Sequence, residues 1–383
     1  MSVAYPHVRV DGGARRRGLQ YGEQARARVK LSLEKYAAVF IHYAGWDWPR
    51  VIAEASRFGP PIAAYDPTCC EEMRGIADGA GVAYEAVLAL NARTEIMFAA
   101  RARQRASGTT PRECSSFAVL PSASAGRRTL IGQNWDWLTH CFDTVVVLEA
   151  TPDFDPAYVT VVEAGLLAKS GFNSAGLGLA TNALVTDQDD GEPAVPYHVV
   201  LRSILRAETL SDAAVAIERA PRSSSANYLI ASDEGAAIDI EAIAGKPGEV
   251  HRLSPEEGIL VHTNHVLSPF LRAKDIFATA MPNTDSRFRR DRLRELISAG
   301  QGAVAPEMLE RVLADHSNWP SGVCCHPDET TGFHDRATTV ASLIMDLHAR
   351  QMWLADGRPC TTPYRRLDYA SILGTGSGVC PFR

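Results

Sequence analysis

The 383-residue chain has no stretch approaching the roughly 18 uninterrupted apolar residues that a membrane-spanning helix needs. The basic cluster Arg15, Arg16 and Arg17 is followed by Leu19, Gln20, Tyr21, Gly22 and Glu23 rather than by an apolar run, so no secretory signal is expected. The reading is a cytoplasmic protein without a membrane partner. Positive charge is also in short supply: the formal net charge is −6 and the sequence pI about 6.0. Such a balance supplies no basic field for phosphate backbones, which excludes nucleic acid as an expected partner. Eight cysteines are too few for a disulfide framework in a chain of this length, and a reducing compartment would leave them as thiols available for chemistry. There is no internal repeat, no His-Glu-x-x-His motif and nothing that asks for a cofactor.

What is present suits one large layered α/β domain: 46% hydrophobic and 22% charged residues support an extensive core. Residues 18–100 read as helical, with Val29, Leu33, Tyr36, Ala37 and Phe40 recurring at three- and four-residue steps. A polar, basic loop follows through Ser107, Gly108 and Pro111 to Glu113. From Cys114 onward the pattern changes to short strand-like runs: 116–120, 129–132, 144–148, 158–162, a Gly-rich pair within 170–184, 226–243, 258–261, 338–347 and 351–355. Helices are predicted over 196–219, 286–298 and 306–314. Grouped strands and grouped helices, without strict βαβ alternation, predict an α+β sandwich.

Five short segments carry candidate chemistry. Cys114 opens the first strand and is followed by Ser115 and Ser116; alone, a cysteine there is more often a small buried hydrophobe. Gly132-Gln133-Asn134-Trp135-Asp136-Trp137 reads as a strand-end turn that sets amide and carboxylate groups beside large aromatics. Asn182 ends Leu-Gly-Leu-Ala-Thr-Asn, and Asn264 sits in Thr263-Asn264-His265 after an apolar strand; either amide could donate to an oxyanion. Arg336 lies in Asp335-Arg336-Ala337-Thr338, before a late strand.

Taken together and in this order, these segments resemble the isopenicillin N acyltransferase family, relatives of the choloylglycine hydrolases within the N-terminal-nucleophile superfamily. The resemblance covers most of residues 114–355. It implies a four-layer αββα sandwich with a helical N-terminal leader, residues 1–113 becoming an α-chain and 114–383 a catalytic β-chain after autoproteolysis between Glu113 and Cys114. It further implies Cys114 as nucleophile, Asp136 near its amine, Asn264 and Asn182 at the oxyanion hole, Arg336 in the pocket and the Ser116 hydroxyl near the cut. Asn134, Trp135 and Trp137 would line the substrate pocket. The family's best-known members carry Gly where this chain has Glu113. The expected partners are a small-molecule amide or acyl donor and the two chains of one precursor; homo-oligomer formation stays open.

Two other readings compete. An unprocessed, non-catalytic binding relative is one. A zinc hydrolase is the other, because His262 and His265 are close in sequence and His316 and His334 flank Cys324, Cys325 and His326. The adjacent cysteines lack the two-residue spacing of structural zinc pairs, so no metal site is expected. Arg287, Arg289, Arg290, Arg292 and Arg294 read as the solvated face of a helix balanced by Asp285, Asp291 and Glu295.

Overall fold

The computed structural model describes residues 4–97, 114–276 and 284–374. Glu113 and the loop before it lie outside the described residues. The N-terminal part begins with a strand, β1 (His7–Gly12), whose alternating Val8 and Val10 are buried, and continues as six helices up to Asn91, with residues 93–97 helical again. These are α1 (Ala14–Gln24), α2 (Arg26–Ala44), α3 (Trp48–Ser56), α4 (Gly59–Tyr65), α5 (Pro67–Ala80) and α6 (Tyr84–Asn91). β1 precedes the region from residue 18 that the sequence reads as helical. The helix stops are those of the sequence: Gly45 and Gly81 cap α2 and α5 in the left-handed conformation, and Asp47 and Asp66 side chains cap the starts of α3 and α5.

Strands β2 (Ser115–Val119), β3 (Leu130–Leu138), β4 (Val145–Pro152), β5 (Tyr158–Glu163), β6 (Ser170–Asn173) and β7 (Leu177–Ala183) follow. The β6–β7 hairpin forms where predicted, with Gly176 at φ +90° in its turn. Then come α7 (Tyr197–Leu205), α8 (Leu210–Glu218), β8 (Ala226–Ser232), β9 (Ala237–Ala242), β10 (Val250–Leu253) and β11 (Ile259–His262). The chain closes with α9 (Thr284–Ser298), α10 (Pro306–Leu313), β12 (Ala337–Asp346), β13 (Gln351–Ala355), β14 (Arg365–Asp368) and α11 (Ala370–Leu373).

Two sheets stack face to face. One has the order β1-β4-β5-β6-β7-β8-β9-β10, with β1 parallel to β4; the other has the order β11-β2-β3-β12-β13-β14 and is antiparallel. Helices cover both outer faces: α7 and α8 pack on the larger sheet, α9 and α10 on the smaller. The arrangement is the α+β sandwich that the strand and helix grouping predicts, in the four-layer αββα form that the family resemblance implies. One apolar core runs between the sheets and under the leader helices, and includes Cys114, Trp135 and Trp137. A second lies between the smaller sheet and α9 and α10, around Phe117, Val119, Leu293 and Ile297.

The leader is held by close approach and by buried charge. Helices α1 and α5 touch backbone to backbone, and a Cβ on Gly75 would lie 2.3 Å from the Arg15 carbonyl oxygen. Gly75→Ala is expected to force the helices apart and cost about 1–3 kcal/mol in chemical denaturation. Glu72 of α5, 3% exposed, accepts from Arg17 of α1 at 2.9 Å and Arg202 of α7 at 3.3 Å. Burial alone would raise the Glu72 carboxyl, but Arg202 and Arg17 outweigh it and hold it below the usual carboxylate range. A depressed folded-state pKa contributes stability above the unfolded value near 4.3, lost as pH falls through the folded value. Glu72→Gln should cost about 3–5 kcal/mol at neutral pH, because it leaves two buried guanidinium groups unpaired. The variant should also lose part of the wild-type's acid-side decline in stability, measured as Tm against pH.

Candidate active site

Cys114 immediately precedes β2, 3% exposed, at the wall of a narrow pocket lined also by Arg93, Thr94, Trp137, Lys169, Ala183 and Tyr197. Leader and later strands thus both contribute. The pocket lies at one end of the interface between the sheets, because β7 of the larger sheet packs on β2 and β3 of the smaller.

The Cys114 carbonyl is held from two sides. Asn182 Nδ2 donates to it at 2.9 Å and Arg289 Nη1 at 3.1 Å. The Asn182 amide is itself oriented, since its Oδ1 accepts from Ser116 Oγ at 2.6 Å and from Asn227 Nδ2 at 3.3 Å. Ser116, buried and two residues beyond Cys114, therefore acts on the cysteine through Asn182. Arg289 also donates to Ser115 Oγ and to Asn264 Oδ1, both at 2.9 Å. With its oxygen fixed there, Asn264 turns Nδ2 to the carbonyl of the pocket residue Ala183, at 3.1 Å. Ser286 Oγ accepts from the Asn264 main-chain N–H at 2.8 Å. Ser286 and Arg289, three residues apart on α9, thus share the face that holds Asn264 and Cys114.

Arg289 corrects the sequence reading. It is 3% exposed, not part of a solvated face. Its neighbours do behave as predicted, with Arg290 on Asp291 and Arg292 on Glu295. Arg336, in contrast, donates to the main-chain carbonyls of Thr331 and Glu329 and is not among the residues lining the Cys114 pocket.

The Gly132–Trp137 run is not a turn. It lies inside β3, fully paired, and its side chains alternate. Trp137 lines the pocket and donates Nε1–H to Tyr36 at 2.7 Å. Trp135 lies under Lys169, whose Nζ is 4.8 Å from its ring centroid. Asn134 points the other way: its Nδ2 donates to Leu313 and Val323 carbonyls at 2.8 Å, so it holds the loop after α10 and does not line the pocket. Asp136 shares that outer face, accepting from Thr339 Oγ1 at 2.6 Å. Ser115 pairs with Asn134 at the end of the β2–β3 ladder, and β3 continues past that pair through Trp135 to Asp136.

Arg93, Lys169 and Tyr197 belong to the pocket, yet no motif pointed to them. Arg93 stacks on Trp137 with 4.3 Å to the ring centroid and pairs with Glu163. Burial disfavours its charge, but Glu163, Tyr36 and Cys141 more than compensate and leave the pKa raised. The histidines of the Thr263–His265 segment are engaged elsewhere. His262 contacts Glu241 Oε1 at 2.9 Å, and burial drives the His265 pKa down to about 2 beside Ser286.

A sequence profile of the acyl-coenzyme A:6-aminopenicillanic acid acyl-transferase family matches residues 123–360, well over half of the chain. The chain belongs to this family. It is 25% identical over 354 residues to acyl-coenzyme A:6-aminopenicillanic-acid-acyltransferase 40 kDa form of Emericella nidulans, covering 92% of this chain and 93% of that one. Among solved structures, an arginine-to-leucine variant of conjugated bile acid hydrolase from Clostridium perfringens superposes with a TM-score of 0.50 at 14% identity, covering 69% of this chain and 95% of that one. Penicillin V acylase from Agrobacterium tumefaciens gives 0.46 at 15% identity, over 69% and 90% of the two chains. The fold is that of the N-terminal-nucleophile hydrolases, and the family to which the chain belongs is one of acyl-transferase enzymes. Among the described residues no helix is long and apolar enough to cross a membrane.

Proposed function

We propose that this family member is activated by cutting itself between Glu113 and Cys114, and that Cys114 then hydrolyses or transfers the acyl group of a small amide or acyl donor through a thioester. The observation that carries the reading is the convergence on Cys114 of Asn182 and Arg289, with Arg289 also orienting Asn264 beside pocket residue Ala183. In the precursor, the Cys114 thiol attacks the Glu113 carbonyl; the C–N bond breaks, the Cys114 nitrogen takes the proton, and water hydrolyses the thioester. Cleavage creates the catalytic base, because a free α-amine with a pKa of about 7.7–8.0 can accept the thiol proton and return it to a leaving amine. Asp136, two residues along β3 from the partner of Ser115, favours the protonated amine during turnover. Asn264 Nδ2 is the oxyanion donor, and Asn182 and Ser116 are positioning residues.

The relatives' names point to coenzyme A thioesters, penicillins and conjugated bile acids as the substrates to try first. Residues 4–97 and 114–374 are tied by Glu72 and by Arg93–Glu163, so the α- and β-chains should stay together until denatured. A denaturing gel with intact mass measurement tests the cut. The 41.5 kDa precursor should give way to two chains, the larger beginning at Cys114. A single 41.5 kDa species after prolonged incubation would refute self-cleavage. Adding a second amine separates the outcomes of turnover, since transfer yields a new amide and hydrolysis a free acid.

A further inference from the structure

His316, Cys324, His326 and Cys360 come from three separated points of the chain: the loop after α10, the segment before β12, and the turn after β13. Their donor atoms all lie within 4.8 Å of one another. His326 Nε2 is 3.1 Å from His316 Nε2, 3.3 Å from Cys360 Sγ and 3.6 Å from Cys324 Sγ. A ring nitrogen carries at most one proton, so hydrogen bonding satisfies one of these three contacts at a time. One cation at their centre satisfies all four donors. Zinc–sulfur and zinc–nitrogen bonds of about 2.3 and 2.0–2.1 Å in a tetrahedron put ligand atoms roughly 3.3–3.8 Å apart, within a few tenths of an ångström of the 3.1, 3.3 and 3.6 Å found around His326. Cys324 and His326 are 1% and 6% exposed, Cys360 is half-buried and His316 is at the surface, giving an ion an entry path.

We propose that these four residues form a structural Cys2His2 zinc site. Binding replaces two thiol protons by one Zn2+, leaving the site neutral, and four protein ligands leave no open position for catalysis. Arg358 Nη1 lies 3.0 Å from His326 Nδ1; zinc on Nε2 moves the imidazole proton to Nδ1, so Arg358 swings away into solvent. The adjacent Cys325 takes no part and contacts the His326 and Ala337 carbonyls instead.

The clip braces the catalytic sheet from behind. The loop it fastens receives Asn134 Nδ2 at the Val323 carbonyl, and Cys325 N donates at 2.9 Å to Thr339 Oγ1, which in turn donates to Asp136. Zinc thus fixes the outer support of the strand that carries Asp136, independently of what Cys114 does.

Protein purified with zinc present and then exhaustively dialysed should retain about one zinc per chain by elemental analysis. Replacement by Co2+ should give the strong visible bands of a tetrahedral ion and a thiolate-to-cobalt charge-transfer band. Cys324→Ser with Cys360→Ser should abolish retention, and His316→Ala, a surface change that leaves the fold in place, should weaken it in chelator competition. Arg358→Ala should retain the full zinc content. Folded wild-type protein, judged by circular dichroism, that holds neither zinc nor cobalt would overturn the proposal. So would a Cys324–Cys360 disulfide in non-reducing peptide maps, or zinc retained unchanged by the His316→Ala and double-serine variants.

Discussion

Cys114→Ala is expected to leave one uncut chain of 41.5 kDa with turnover reduced by on the order of 10^6-fold, the scale on which removing a covalent nucleophile acts. Both losses have one cause, because the same sulfur attacks first the Glu113 carbonyl and then the substrate. The fold should survive: Cys114 is small, and its carbonyl, not its side chain, receives the Asn182 and Arg289 bonds. Circular dichroism and Tm should therefore match the precursor's. If Cys114→Ala is still found as two fragments at the same junction, an outside protease makes the cut. Supplying the two segments as already separated chains divides the two roles: wild-type Cys114 should then turn over without any cutting step, and Cys114→Ala should not.

Arg289→Met is expected to lower kcat by about 100-fold with little change in KM, the scale on which ångström-sized misplacement of reacting groups acts. One planar guanidinium holds the Cys114 carbonyl, Ser115 Oγ and the Asn264 oxygen together, so its loss frees the proposed nucleophile and the proposed oxyanion donor at once. Lysine cannot reproduce that fork, but it keeps the charge and one bond, and Arg289→Lys should recover part of kcat. A purely structural role predicts a different result, in which Tm falls in both variants while kcat of the folded fraction stays at the wild-type value. Self-cleavage should slow in parallel with kcat, because the precursor reaction uses the same carbonyl-holding groups.

Much of the fold was legible because its periods are local. The switch from three- and four-residue spacing to short strand-like runs falls at Cys114, just before β2, and the β6–β7 and β8–β9 hairpins lie where turn residues interrupt apolar runs. β1 was missed although Val8 and Val10 alternate with polar residues, since six residues ahead of a long helical region carry little weight. The errors at the site concern contacts made far along the chain. The sequence assigns Asn134 to the substrate pocket because nothing nearby shows that Leu313 and Val323 will accept its amide protons inside a strand. Arg289 was hidden among four other arginines, although Ser286, Arg289, Leu293 and Ile297 recur at helical spacing and all four are buried. That stripe was the available signal. Cys360 lies 34 residues beyond His326, so ligand spacing along the chain could not reveal the cluster that the sandwich assembles.

Turnover in the proposed mechanism passes the acyl group through Cys114. Matured enzyme mixed with a slow acyl donor, quenched in acid and digested should yield the N-terminal peptide of the β-chain with the acyl mass on Cys114, removable by hydroxylamine as a thioester is. An acyl mass on any other residue, or turnover with no adduct on Cys114 at any quench time while Cys114→Ala retains activity, would contradict it.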